Sequence, residues 1–320
     1  MLFPFIIIVQ RKVIIMRKTL TMLIAAATII ALFAFQLSAA EKNSYKFGMW
    51  FGVGTEFDAQ NKQIISDLVA AFSKKSKYNI EFVWFSDYNK FVDSVKKREL
   101  DFIYAFKYEV IYDLMMSGQY DPFLMPYLLG SKDFSMCLYV NAGSGIKSPA
   151  DLKSKRILVA EGMPEYYVLR KILNDKPENV FGTIEKSVSG MSSMYSLAMN
   201  DTDAVYASEI TEKFMKMNNP GPFKKISRLL CSEKYPFMPI MVSKSVPNEL
   251  LIEFRNIFTT ADKEEALKKY RPIFTTYKFK FMPVNRDLYK PVTDVFQEAK
   301  KKGWDRDHEI WKEAVKKRNK

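Results

Sequence analysis

Three strand–helix pairs in succession near the start of this chain restrict its fold more than any other feature. Residues 45–51 have the composition of a buried strand, and residues 63–75 put Ile64, Leu68, Ala71 and Phe72 on one helical face. Residues 80–85 and 101–105 read as the second and third strands. Helices over 88–98 and 108–117 follow them, one behind a Ser86-Asp87 cap and the other stopping near Gly118. Strands laid down in this rhythm pair in parallel, because each helix carries the chain back across the sheet. The expected class is α/β, with helices on the faces of the sheet.

The pattern changes beyond residue 134. Strand 135–141, the loop Gly143-Ser144-Gly145, a short helix with Pro149 near its first position, strand 156–160 and helix 165–173 come next. An extended stretch over 180–187, a helix over 191–200 and a strand over 203–207 follow. Residues 237–242 then form a strand heading back, before a helix over 247–258. One group of elements is thus interrupted by another. The order predicts two lobes, residues 41–134 with 241–320 and residues 135–240.

The first forty residues bear on location. Met16-Arg17-Lys18 is a short basic start, residues 20–37 form an apolar run without a charge, and Ser38-Ala39-Ala40 supplies small residues for a signal peptidase. That order marks a cleavable secretory signal, with residues 1–15 an upstream start codon assigned in error. Cleavage after Ala40 would leave residues 41–320 in the periplasm of a two-membraned cell. An uncleaved anchor is the competing reading, since such a run is just long enough to span a bilayer.

The chain carries a formal charge of +13. Arg11, Lys12, Arg17 and Lys18 account for four of these charges, which leaves +9 for residues 41–320. Export removes nucleic acid as a partner. The dense clusters (Lys74-Lys75, Lys96-Lys97-Arg98, residues 300–302 and 316–320) fall at predicted helix ends or the C-terminus, where the helix dipole and solvent accommodate them. Cys137 and Cys231 belong to an oxidising compartment on this reading, but their separation in sequence does not show whether they pair.

Catalysis finds little to use. His308 is the single histidine and falls in a charged C-terminal helix, so neither a Ser-His-Asp nor a Cys-His arrangement can be built at a strand end. No His/Cys/Asp/Glu cluster has metal-ligand spacing, and Gly52-Val53-Gly54 lacks the third glycine of a dinucleotide loop. The expectation is a binding protein with no catalytic residue, no metal and no cofactor.

Several segments resemble one family. The stretch Gly145-Ile146-Lys147-Ser148-Pro149-Ala150-Asp151-Leu152-Lys153-Ser154-Lys155-Arg156 is similar to the entry of the second lobe in periplasmic substrate-binding proteins of phosphate, phosphite and phosphonate ABC transporters. Ser86-Asp87-Tyr88 with Glu99-Leu100-Asp101, Ser189-Gly190 with Asp203-Ala204-Val205, and Phe281-Met282-Pro283-Val284 with Tyr289 extend the likeness over most of the chain. The resemblance implies the two-lobed, type II periplasmic-binding fold. Each lobe would be a mixed sheet flanked by helices, with the ligand in the interlobe cleft. It also implies a monomer that binds a small molecule and docks on a membrane permease; docking on a membrane sensor is the alternative.

The candidate ligand residues follow from strand carboxyl ends and helix amino ends, where open α/β sheets bind ligands. In lobe 1 they are Trp50, Phe51, Trp84, Ser86, Tyr104, Phe106 and Lys107, the last as the cation for a ligand anion. In lobe 2 they are Glu161, Met163, Tyr166, Tyr167, Ser189, Gly190, Met191, Ser192, Tyr206 and Glu209. Phosphonate binders of the family present a Ser-Thr-Ser type run where this chain has Glu161-Gly162-Met163-Pro164-Glu165. Two carboxylates and a residue without an N–H suit a dianion poorly. The expected ligand is therefore a partly apolar organic molecule, with a phosphate- or phosphonate-type oxyanion as a further alternative.

Overall fold

The computed structural model describes residues 44–50, 56–160, 165–187 and 189–308. The expected signal segment, Phe51, Glu161, Met163 and the C-terminal lysine run lie outside the described residues.

The opening rhythm is realised as β1 (Ser44–Trp50), α1 (Glu56–Lys75), β2 (Asn79–Trp84), α2 (Tyr88–Lys96), β3 (Phe102–Ala105) and α3 (Tyr108–Met116). β4 (Tyr120–Tyr127) follows, and the chain then builds a second sheet. This part of the chain runs β5 (Asp133–Asn141), β6 (Arg156–Ala160), α4 (Glu165–Leu173), β7 (Thr183–Ser187), α5 (Gly190–Ala198), β8 (Ala204–Ser208), α6 (Glu209–Asn218) and β9 (Ile226–Pro236). The chain returns through β10 (Ile240–Ser243), α7 (Asn248–Thr259), β11 (Lys280–Pro283) and α8 (Lys290–Lys301). The first sheet has the order β11-β4-β10-β3-β1-β2 and the second β7-β6-β8-β5-β9. β1 and β3 are parallel, as are β6 with β7 and with β8, while β10 and β5 run antiparallel to their neighbours. Each lobe is thus a mixed sheet flanked by helices.

All four residues of β3 are buried, because this strand lies between β1 and β10 and has helices on its faces. Phe254 of α7 lies 4.6 Å from the ring of Phe102 and 4.0 Å from that of Phe258, which seals helix to sheet in lobe 1. Gly48 gives room to the Leu100 side chain, whose Cδ1 would lie 2.4 Å from a Cβ there and would have to shift.

Two strands escape the sequence pattern. β4 carries Pro122 and Pro126, which normally argue against a strand inside a sheet. β9 mixes Arg228, Glu233 and Lys234 with its apolar residues, because it is the edge of its sheet. β9 pairs with β5 and sets Cys231 opposite Cys137; the two form a disulfide with Cα atoms 4.1 Å apart.

The chain passes between the sheets at β4–β5 and at β9–β10. Leu128 and Ser131 exchange backbone hydrogen bonds of 3.0 Å across the first passage. At the second, the hydroxyl of Tyr108 donates to the carbonyl of Pro236 and that of Tyr289 to the carbonyl of Phe237. Both tyrosines are fully buried, so two lobe 1 side chains hold the returning strand by its backbone.

A further link lies at the C-terminus. Phe296 of α8 stacks on Tyr112 of α3 at 4.6 Å and meets Tyr167 of α4 at 5.8 Å, so one ring touches both lobes. Beyond α8, Asp307 accepts from Arg170 at 2.6 Å and lies 3.1 Å from the Lys176 ammonium. The hydrogen bond from Arg170, and then Lys176, holds the Asp307 carboxyl below its ordinary pKa despite the opposing effect of burial. A carboxylate with a depressed folded-state pKa contributes stability above its unfolded value, and that contribution is lost as pH falls through the depressed one. Asp307→Asn is therefore expected to lower the melting temperature at pH 7 by about 2–3 °C, the equivalent of about 0.5–1 kcal/mol for a solvent-accessible pair. In melts repeated at lower pH the difference should begin to shrink below the ordinary aspartate value of about 3.9 and go on shrinking as pH falls further; a difference independent of pH would show that the carboxylate charge is not what matters.

Candidate functional site

The carboxyl ends of the parallel strands set the site. Trp50 closes β1, Trp84 closes β2, and Phe106 and Lys107 follow β3. Backbone bonds keep these ends level, with Phe85 donating to the Met49 carbonyl at 2.9 Å and Phe106 to the Trp50 carbonyl at 3.2 Å.

One cluster combines charge with aromatic surface. The Trp50 ring lies 4.8 Å from that of Tyr88 and stacks at 6.4 Å on Phe91. The Lys107 ammonium sits 4.2 Å from the Tyr88 ring centre and 5.6 Å from that of Trp50. Lys107 is half-buried and has no carboxylate partner among the described residues. It also occupies the N-cap of α3 without a side-chain cap bond, so the amino end of that helix adds its own partial positive charge. Trp50 Nε1 is buried and finds no acceptor among the described residues. Burial, and then the charges of Glu109 and Asp113, push the Tyr88 hydroxyl up to about 12, so it stays a donor at neutral pH. An ammonium, an indole N–H and a phenol are gathered where β1 and β3 end, backed by three aromatic rings.

The other lobe 1 candidates are dispersed. Trp84 is half-buried with the Lys62 ammonium 5.4 Å from its ring. Ser86 is exposed, while its neighbour Asp87 caps α2 by accepting from Asn89 at 2.7 Å and Lys90 at 3.2 Å. Tyr104 is buried edge-on to half-buried Phe106 at 5.5 Å, with its hydroxyl pushed up by burial.

Lobe 2 differs from expectation at three tyrosines. Tyr166 and Tyr167 are buried against His308, at ring distances of 5.5 and 5.0 Å, because the C-terminal segment lies over that face of α4. Tyr206 is wholly inaccessible in the middle of the sheet, opposite Leu138 of β5. In this conformation none of the three lines a cleft. Ser189 and Ser192 form a reciprocal capping box for α5, with backbone N–H to Oγ distances of 3.2 and 3.1 Å. Gly190 permits α5 and α6 to approach, since a Cβ there would lie 2.7 Å from Thr211 Oγ1. Met191 packs against the core cluster around Cys137. Glu209 opens α6, largely buried and 3.8 Å from Lys213 one turn on. No group of three or more His, Cys, Asp or Glu side chains comes together as a metal set among the described residues.

Tyr88, Tyr108 and Tyr289 were not among the sequence candidates. Tyr88 was within reach of pattern reading, because it follows the Ser86-Asp87 cap beside a strand end. Tyr108 and Tyr289 act on a passage whose position only the assembled sheets reveal.

Residues 51–289 match the family described as the periplasmic substrate-binding protein of phosphonate ABC transporters. No protein of curated function matches the sequence significantly. Among solved structures, a binding-protein component of an ABC phosphonate transporter from Pseudomonas aeruginosa superposes with a TM-score of 0.60 at 16% identity, over 88% of this chain and 100% of that one. A Xanthomonas citri protein bound to ATP gives 0.60 at 13% identity, over 81% and 98%. A Prochlorococcus marinus protein in complex with methylphosphonate gives 0.56 at 13% identity, over 82% and 100%. At these identities the likeness concerns the fold.

Proposed function

Because this chain belongs to the phosphonate-type family of periplasmic substrate-binding proteins of ABC transporters, we propose that it captures a partly apolar organic anion and hands it to a membrane permease. The fold leaves the ligand to the side chains: one neighbour holds methylphosphonate and another ATP. The observation that carries the reading is Lys107, an ammonium seated on the rings of Tyr88 and Trp50 with no carboxylate partner among the described residues. A cation held this way can pair with one anionic group, and the rings beside it offer apolar contact. A simple phosphonate is disfavoured by composition, since Glu161 and Glu165 would repel it and Pro164 supplies no N–H. Closure of the lobes about the two passages would bury the ligand and present a new surface to the permease. The secretory character of residues 16–40 supports a periplasmic location.

A thermal-shift screen of the exported protein tests this, because a ligand that binds the native state raises the melting temperature with concentration. Aromatic and branched aliphatic carboxylates are expected to stabilise it, with methylphosphonate and phosphate inert at the same concentrations. Lys107→Met should weaken the best ligand about 10- to 100-fold, as expected for loss of a charge-assisted contact of about 1.5–3 kcal/mol. Micromolar binding of methylphosphonate with the carboxylates inert would sink the assignment.

A further inference from the structure

The end of lobe 2 opposite the strand carboxyl ends carries a basic face. The start of β6, the end of β5 and the carboxyl ends of α5 and α6 meet there. Ala142 donates to the Lys225 carbonyl at 2.8 Å, Asp203 to the Arg156 carbonyl at 3.2 Å, and Asn141 Nδ2 to the Leu197 carbonyl at 3.3 Å. Lys147, Lys153, Arg156, Lys216, Lys224 and Lys225 are all exposed at this end. None of the six forms an ion pair among the described residues. Of the carboxylates nearby, Asp151 accepts from the backbone of Lys147 and Ser148, and Asp203 from that of Arg156, so the backbone engages both. Of the six cations, Lys216 alone lies in the last turn of a helix longer than one turn, so compensation of helix dipoles does not account for the set. Met199 and Met217, at the carboxyl ends of α5 and α6, are 67% and 47% exposed.

We propose that this face docks on an anionic lipid surface. The cations are spread over a loop, a strand start and two helix ends. A plane of headgroups can meet charges dispersed in this way without shape complementarity, and the exposed methionines give the same face an apolar component that can enter the interface. A soluble acidic partner would need no such apolar points. Held at the membrane, the protein would search for its permease across a surface instead of through a volume. The inference does not depend on the ligand or on Lys107.

Flotation of the exported protein with vesicles tests it, after mass analysis confirms that residues 1–40 are absent. Vesicles of phosphatidylglycerol and phosphatidylethanolamine should carry the protein at 50 mM salt and release it at 500 mM, because the Debye length falls about threefold, from about 14 Å to about 4 Å. Each lysine near such a surface is worth about fivefold in partitioning. Reversal of four exposed lysines (K153E, K216E, K224E, K225E) should therefore reduce binding at least about 100-fold, with the melting temperature showing that the fold persists. M199S with M217S should reduce binding severalfold at unchanged charge. Three results would each overturn the proposal: no binding to anionic vesicles, undiminished binding by the four-lysine variant, or competition by soluble polyglutamate as effective as added vesicles.

Discussion

Reducing the Cys137–Cys231 disulfide is expected to lower the melting temperature by about 6–12 °C, the equivalent of about 3–4 kcal/mol. The bond joins residues 94 apart in sequence, and the closed loop contains β6, β7 and β8 with α4, α5 and α6. The unfolded second lobe is thereby held as one large ring, and the entropy denied to it is the source of the stabilisation. Cys137 is wholly buried and Cys231 half-buried, so native-state reduction should be slow and the Cys137→Ala, Cys231→Ala double variant is the cleaner comparison. Calorimetry with and without reductant, beside this variant, measures the effect. An unchanged melting temperature in both would show that the ring adds nothing to stability. The bond also agrees with the periplasmic setting of the family, because such bonds persist in oxidising compartments.

What could be read in advance follows physical rules. The run from β1 to α3 was legible because each strand is apolar and each helix has one buried face, as in Ile64, Leu68 and Phe72 of α1. β9 was illegible for the opposite reason: an edge strand keeps its charges, and nothing local distinguishes Arg228 or Lys234 from loop residues. With β9 hidden, the pairing of Cys137 and Cys231 could not be anticipated, although it is fixed by strand register. Trp50 and Lys107 were candidates from their places beside strand ends, and the structure brings their side chains together. The association with Tyr88 needed α2 and α3 to be packed together. Tyr166 and Tyr167 were misplaced because their neighbours Phe296 and His308 are over a hundred residues away in sequence, and no local pattern shows a C-terminal segment returning to cover α4.

That difference between rings at a strand end and rings under the C-terminal segment has a measurable consequence. Tyr166→Ala should cost about 3–5 kcal/mol of stability, because it empties a wholly buried site and removes the hydroxyl to which Arg170 donates at 3.2 Å. Tyr104→Ala should behave in the same way, its ring being buried against Phe106. Trp84→Ala should cost less, about 1–2 kcal/mol, since the ring is already half-buried at the sheet edge. Trp50 is the informative case. Trp50→Phe preserves most of the stacking on Tyr88 and Phe91 and deletes an N–H that has no acceptor among the described residues. Removing a buried donor that is already unsatisfied carries no hydrogen-bond penalty, so the stability cost should be confined to the ring volume lost from a buried site, about 1–2 kcal/mol. If that N–H serves the ligand, affinity of the folded protein should fall about tenfold beyond this packing cost. Melting temperature and ligand affinity measured on the four variants separate packing from binding. Should Tyr166→Ala keep its stability and lose the ligand, while Trp50→Phe binds normally, the site would have to be moved from the end of β1 to the amino end of α4.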